Sequence, residues 1–130
     1  MKRIEATNDF VIKFANVNGS GSASANRLFV MSVLRMGVPA TPRNIFPSNI
    51  QGGVDMMVAM NPQTWDNDVK EIEAGGYLFY DNTKPLPKSK FRDDINVIGM
   101  PLTEICNNTY SDPRQRQLFK NIIYVGALSA

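Results

Sequence analysis

The stretch FVIKFANVNGSGSASANRLFVMSVLRMG, residues 10–37, decides the fold of this chain. Its first part, Phe10 to Val17, holds Val, Ile, Phe and Val in a short run and predicts a strand. The segment Asn18-Gly19-Ser20-Gly21-Ser22 follows at once and cannot continue that strand. Apolar residues then recur at helical spacing; they are Ala25, Leu28, Phe29, Val33 and Met36. Since Gly37 ends this helix, the stretch predicts the opening of a βαβ unit.

The rest of the chain alternates in the same way. Strands are predicted over Val54–Met60, Tyr77–Tyr80 and Ile95–Met100, with a short extended piece at Asn44–Phe46. One further helix follows Asn61-Pro62, with Asn61 as its N-cap and Gly75-Gly76 as its end. Alternation of this kind predicts an α/β class fold, a three-layer Rossmann-like domain with a mostly parallel sheet and helices on both faces.

The last predicted helix starts at Ser111-Asp112-Pro113, with Asp112 as cap and Pro113 in the first helical position. Its expected buried face consists of Leu118, Phe119, Ile122 and Ile123. Residues 121–130 read as a helix still in progress. We therefore expect residues 1–130 to be a single domain that is a fragment of a longer subunit.

Composition excludes several classes of site and partner. The 130 residues carry 14 basic and 12 acidic side chains, a net charge of +2 that predicts no nucleic acid partner. No histidine occurs, so no His-based triad or zinc site lies in this chain. A single cysteine, Cys106, excludes an internal disulfide and an iron–sulfur cluster of its own. With no signal peptide and no apolar stretch of about 20 residues, a cytoplasmic protein without a membrane partner is expected.

The carboxyl ends of the predicted strands define the expected ligand-binding edge. Five segments follow these ends: Asn18–Ser22, Pro47–Asn49, Met60–Pro62, Asp81–Thr83 and Met100–Pro101. They are rich in Gly, Asn, Ser and Pro and poor in acids, bases and nucleophiles. Such an edge binds through backbone N–H groups and amides and offers little for acid–base catalysis, so no catalytic residue is predicted.

The glycine-rich turn is the strongest local signal, and its candidate binding residues are Asn18, Gly19, Ser20, Gly21 and Ser22. Glycines let the backbone approach a ligand closely, and the N–H groups of the following helix suit a phosphate or carboxylate. The turn lacks the third glycine of a dinucleotide fingerprint and the Gly-Lys-Ser/Thr of a phosphate-binding loop. A tight βα turn in which a serine caps the helix is the alternative. Asn61 is a further candidate at the edge, with a helix N-cap as its alternative.

Other candidates have simpler structural explanations. Asp81 and Asn82 fit an Asx turn better than a partner contact. The basic loop, defined by Lys84, Lys88, Lys90 and Arg92, could meet phosphates, but a solvated loop is favoured. Cys106 has no histidine to activate it, which favours a structural thiol. The methionines are interpreted as core filler; they include Met36, Met56, Met57 and Met60.

Four blocks of the sequence resemble the N-terminal region of a known family. They are Phe14–Asn26, Pro42–Gly52, Met60–Trp65 and Tyr110–Asn121, in the family's order. The chain resembles the γ-type domain at the N-terminus of the α subunit of 2-oxoacid:acceptor oxidoreductases, of the 2-oxoglutarate:ferredoxin type. One departure is that Gly52 and Gly53 join two blocks directly, where the family usually has a longer excursion. Contacts to CoA or to the active site that this excursion supplies in the family are therefore not assigned to any residue of this sequence.

The resemblance implies a reaction and a set of partners. In this family a 2-oxoacid, CoA and an electron acceptor give an acyl-CoA, carbon dioxide and reduced ferredoxin. Thiamine diphosphate, Mg and iron–sulfur clusters are expected only in partner domains or subunits. The expected partners are the thiamine-binding domain of the same subunit, the β subunit and a ferredoxin-type acceptor.

The γ-type domain itself is expected to help form the CoA and active-site region. Carried onto this sequence, that role falls on residues 18–22. Two alternatives come from other functional classes: a stand-alone nucleotide- or CoA-binding module, and a structural subunit-interaction domain.

Overall fold

The computed structural model describes residues 9–43 and 53–130. The strands are β1 (Ile12–Ala15), β2 (Val54–Ala59), β3 (Ile72–Asp81) and β4 (Asn96–Met100). The helices are α1 (Ser22–Arg35), α2 (Trp65–Glu71), α3 (Leu102–Thr109) and α4 (Pro113–Ser129), with a 3₁₀ turn at Lys88–Lys90. The predicted extended piece Asn44–Phe46 and the candidate segment Pro47–Asn49 lie outside the described residues.

The four strands form one all-parallel sheet in the order β1-β2-β3-β4. Ala15 is level with Ala59, Ala59 with Tyr80, and Tyr80 with Gly99. The carboxyl ends of all four strands therefore meet at one edge of the sheet. This edge is where ligands bind in open α/β sheets.

Successive residues of the central strands face two different hydrophobic clusters, as the period of two of a strand requires. Met57 and Leu78 pack with the α2 residues Trp65 and Val69. Val58 and Phe79 point the other way and belong to the second cluster, with contributions from the other helices: Ala25, Leu102, Tyr124 and Val125. Helices thus cover both faces, which confirms the predicted three-layer α/β fold with a parallel sheet.

The predicted end of α2 is wrong. Gly75-Gly76 was expected to end this helix, but it ends at Glu71, and Ile72 is already extended, with φ −71° and ψ 129°. Ile72 pairs with Val54, and the next partner pair is Tyr77 with Met56, so β3 carries an irregularity between them. Long-range pairing with a buried strand therefore outweighs the helical spacing of Trp65, Val69 and Ile72.

The predicted buried face of α4 is also wrong in part. Leu118 is 45% exposed and Ile122 39% exposed, while the buried residues of this helix are Asn121, Tyr124 and Val125. Helix α4 packs against α1 and α3, and Tyr124 and Val125 share a core cluster with the sheet residues Val58 and Phe79, so this side of the helix faces the interior. Two other apolar residues of the expected core are also exposed: Leu28 at 49% and Met36 at 77%.

Helix α3 was not expected from the sequence. It has eight residues, and Pro101 at its N-cap supplies no capping side chain. Two other expectations are confirmed: Asp112 caps α4, accepting from the Arg114 amide at 2.8 Å, and Met57 is fully buried. Among the described helices, none is both long and apolar enough to cross a bilayer.

Candidate functional site

The glycine-rich turn leads from the carboxyl end of β1 into α1. Its two glycines have φ values of 77° (Gly19) and 76° (Gly21), in the left-handed region that glycine adopts without strain. The Ser20 amide donates to the Val17 carbonyl oxygen at 3.2 Å and closes the turn. Since β1 is level with β2, the turn stands at the ligand-binding edge of the sheet.

The start of α1 has backbone donors without a capping side chain. Gly21 holds the N-cap position, and within residues 9–43 and 53–130 no side chain accepts from the amides of the first turn. That turn also carries no acidic residue. The serine cap, which was the alternative explanation of this segment, is therefore wrong, because Gly21 rather than a serine occupies the cap. Uncapped amides at the positive end of the helix dipole suit an anion.

Helix α4 holds the turn from behind. The Asn121 side-chain amide, only 1% exposed, donates to the Ser20 carbonyl oxygen at 2.7 Å. Gln117 reaches the same oxygen at 3.5 Å. A Cβ atom added to Gly21 would stand 3.7 Å from both the Asn121 Nδ2 and the Leu118 Cδ1 atoms. The turn is thus fixed by residues about 100 positions away, which the sequence offered no signal to find.

Further polar side chains lie beneath the turn. The Tyr124 hydroxyl donates to the Asn26 Oδ1 atom at 2.6 Å. Burial raises the pKa of Tyr124 to about 12, so this phenol stays protonated at neutral pH. Two neighbouring polar atoms, Ser20 Oγ and Asn16 Nδ2, are buried without a hydrogen-bond partner in the described part of the chain. Buried polar atoms thus occur in the turn itself, at Ser20, and shortly before it, at Asn16.

Asn61 lies at the same edge, but its side-chain oxygen is engaged in a local turn. The Met60 amide donates to the Ala15 carbonyl oxygen at 2.8 Å, which places Asn61 beside the end of β1. The Asn61 Oδ1 atom accepts from the Gln63 amide at 3.1 Å, an Asx turn. The N-cap prediction for Asn61 is wrong, because residues 62–64 form a turn and Thr64 is the cap of α2. No hydrogen bond among the described residues joins Asn61 to the glycine-rich turn.

Asp81 ends β3 and is saturated with hydrogen bonds. Its carboxylate accepts from the Thr83 amide at 3.1 Å and the Thr83 hydroxyl at 2.6 Å, so the predicted Asx turn is confirmed. It also accepts from the amide and the hydroxyl of Thr103 and so caps α3 from 22 residues away. Burial raises the pKa of Asp81, but the hydrogen bonds from Thr103 and Thr83 together outweigh burial and bring it below its usual range.

Replacing Asp81 by asparagine is expected to lower the free energy of unfolding at pH 7 by about 1–3 kcal/mol, since buried donors lose a charged acceptor. The folded-state pKa lies below the ordinary value of 3.8, so the ionised carboxylate stabilises the fold above that value. This contribution is lost as the pH falls through the folded-state pKa. Urea unfolding from pH 7 to pH 3 should show the gap between parent and variant closing in acid.

Asp93→Asn is the matched control, because Asp93 is exposed and its carboxylate caps no helix among the described residues. Burial raises the pKa of Asp68, which gives a pH dependence of the opposite sign, so each variant is compared with the parent at the same pH. A gap that stays constant down to pH 3 would contradict the assignment.

The basic loop is used in part for structure. Lys90 pairs with Asp66 at 2.9 Å. Arg92 pairs with Asp94 at 2.5 Å and donates to the carbonyl oxygens of Val69 and Ile72, at the end of α2. These contacts support the solvated structural loop over a phosphate site.

Cys106 and the acidic residues give no catalytic or metal centre in the described residues. Cys106 is buried, and burial raises the pKa of its thiol, which favours a structural role. Within residues 9–43 and 53–130, no group of three or more Cys, Asp or Glu side chains is arranged to hold a metal ion.

Comparison with known proteins places the chain in a family. The family model described as pyruvate ferredoxin/flavodoxin oxidoreductase matches residues 52–130, well over half of the sequence. The match runs from β2 to the end of α4 and includes Asn121, which holds the glycine-rich turn. No curated protein matches the sequence significantly. This chain belongs to the pyruvate ferredoxin/flavodoxin oxidoreductase family, a family of oxidoreductases.

Proposed function

We propose that this chain is the γ-type domain of the α subunit of a CoA-dependent 2-oxoacid:ferredoxin oxidoreductase, with 2-oxoglutarate as the 2-oxoacid. Membership of the oxidoreductase family supports the reaction class. The observation that carries the proposed role is the uncapped start of α1 behind a two-glycine turn at the ligand-binding edge. We assign this turn, residues 18–22, to an anionic part of CoA.

The turn and its surroundings fit a phosphate group. Backbone amides at a helix N-terminus bind phosphate without a cationic side chain. The left-handed glycines let the ligand approach the backbone closely, and the amide of Asn121 holds the Ser20 carbonyl so that the turn keeps its shape. In the proposed role these residues bind and orient CoA and perform no proton transfer. Asn61 would border this region from the end of β2.

The chemistry of oxidative decarboxylation belongs to the partners in this proposal. Thiamine diphosphate, when bound to the thiamine-binding domain with Mg, supplies the carbanion chemistry. Iron–sulfur clusters outside this chain carry the electrons to a ferredoxin-type acceptor. The chain contributes a binding surface next to those centres, through docking to the thiamine-binding domain and the β subunit.

A structural interaction domain is the second candidate, and the surface of α1 favours it. Leu28, Met31 and Leu34 recur three residues apart, and each is between 43% and 49% exposed. Spaced in this way, they form an apolar stripe on one side of the helix. Contiguous exposed apolar surface commonly marks a protein interface. Both roles fit one domain, so the test must separate CoA binding from assembly.

The test compares two glycines at which alanine would be strained to the same extent. Gly19 (φ 77°) precedes α1 and Gly37 (φ 80°) follows it, and a Cβ at either position would meet no atom within 4 Å. Alanine at either position is strained by about 1–2 kcal/mol in the left-handed region. In the assembled enzyme, Gly19→Ala is expected to raise the KM for CoA several-fold, because the turn shifts to relieve the strain. Gly37→Ala should lower stability equally and leave that KM unchanged.

The readout is CoA-dependent reduction of a viologen dye with 2-oxoglutarate. Equal KM values for the two variants would defeat the proposed role of the turn. Loss of subunit assembly by Gly19→Ala with an unchanged KM would favour the interaction domain. Calorimetry of CoA with the chain alone tests the stand-alone module, which requires appreciable affinity without partners.

A further inference from the structure

A cavity between α3 and α4 is lined by cations and polar groups. Its volume is ≈ 150 Å³, and it is partly open to solvent. Arg116 and Lys120 line it together with Thr103, Asn107 and Gln117, and Cys106 and Pro113 complete the lining. Two positive side chains therefore face one cavity, and none of its lining residues is acidic.

Arg116 is held in place with donors left over. Its Nε atom donates to the Tyr110 carbonyl oxygen at 2.6 Å, which orients the planar guanidinium. No acceptor among the described residues bonds to its two terminal nitrogens. A guanidinium fixed through Nε presents these nitrogens as a fork that matches two oxygens of one anion.

Lys120 has spare donors as well. Its ammonium lies 3.7 Å from the Asp81 Oδ2 atom and 3.4 Å from the Thr103 hydroxyl, both long for hydrogen bonds. Lys120 and Asp81 form a long ion pair, while the close hydrogen bonds to the Asp81 carboxylate come from Thr83 and Thr103. The Lys120 ammonium therefore lies at the cavity, and its contacts with Asp81 and Thr103 are both long.

We propose that this cavity binds a phosphate-type oxyanion, either inorganic phosphate or the phosphate group of a monoester. The guanidinium fork would take two oxygens and the Lys120 ammonium a third, and the amides of Asn107 and Gln117 supply neutral donors at the rim. A tetrahedral dianion matches this set better than a carboxylate, which has two oxygens. Gln117 also reaches the Ser20 carbonyl oxygen, so the cavity lies next to the glycine-rich turn, but no hydrogen bond among the described residues joins Arg116 or Lys120 to that turn. The proposal does not depend on the proposed function.

The experiment is a titration of the 130-residue chain with inorganic phosphate, followed by ¹⁵N NMR of the Asn107 and Gln117 side-chain amides. Saturable shifts at both amides are expected in the parent. Arg116→Gln should weaken binding about tenfold. Arg114→Gln is the matched control, because Arg114 is an exposed arginine two residues earlier on the same helix and does not line the cavity.

Equal weakening by the two arginine variants would overturn the proposal, since it would show attraction to net charge alone. Shifts confined to residues 18–22 would also overturn it. If Arg116→Gln fails to fold, Lys120→Gln is the second variant, with rescue by Lys120→Arg expected. A parallel titration with acetate tests a carboxylate ligand. If acetate bound as tightly as phosphate, the preference for a tetrahedral anion would be refuted.

Discussion

Replacing Ser22 by aspartate is expected to raise the KM for CoA about tenfold or more while leaving thermal stability unchanged or slightly higher. Ser22 is the first residue of α1, next to the uncapped amides that we assign to CoA. A carboxylate at this position interacts favourably with the helix dipole, by about 0.3–1 kcal/mol. The same carboxylate repels an anion: unit charges about 4 Å apart interact by about 4 kcal/mol at an effective dielectric of 20.

Two controls separate charge from shape and position. Ser22→Asn has nearly the shape of the aspartate without its charge and should leave the KM for CoA within about twofold of the parent, well under the 1.4 kcal/mol that a tenfold change requires. Ser32→Asp adds the same charge to the last turn of α1, where the dipole disfavours it. That variant should melt earlier with an unchanged KM. The role of the turn would be disproved by a Ser22→Asp enzyme that uses CoA as well as the parent does.

Tyr124→Ala is expected to lower the free energy of unfolding by about 3–5 kcal/mol, the usual cost of truncating a large buried aromatic residue. Tyr124 is the largest fully buried side chain in the part of the chain that the structure describes, and it joins α4 to the sheet in the same cluster as Val58 and Phe79. Its ring also lies 5.9 Å from that of Phe14 on β1. For a domain stable by about 5–15 kcal/mol, this loss is a large share of the total.

Tyr124→Phe is the matched control, because it keeps the ring and removes only the hydroxyl that donates to Asn26. Its cost should be about 1 kcal/mol, that of one hydrogen bond. Urea unfolding followed by the fluorescence of the single tryptophan, Trp65, measures both. Trp65 is buried on the opposite face of the sheet, so its signal reports unfolding of the whole domain. Similar costs for the two variants would contradict the central packing role of the ring.

Much of the candidate site followed from local chemistry. Two glycines directly after an apolar run predicted a turn, and both glycines have the positive φ that favours glycine. The position of this turn at the carboxyl edge follows from parallel pairing, which the alternation of strands and helices indicated. The hydrogen bond that fixes the turn could not be predicted from the sequence, because Asn121 and Ser20 are 101 positions apart.

The misplaced elements share one physical cause. The end of α2 is decided by the pairing of Ile72 with Val54, and α3 begins where Asp81 supplies the missing cap. Neither partner is a neighbour in the sequence, so local propensity alone could not identify it.

The sequence by itself determined the two-glycine turn and the cap of α4 by Asp112, because each depends on residues within a few positions of one another. It also determined the α/β class, because the order of strands and helices along the chain is a property of the sequence. The tertiary structure alone decided which side of α4 is buried, that Asn121 holds the turn, and that Arg116 and Lys120 face one cavity. These features depend on how helices rotate and pack against a shared sheet, and that packing is set by contacts between segments far apart in the chain.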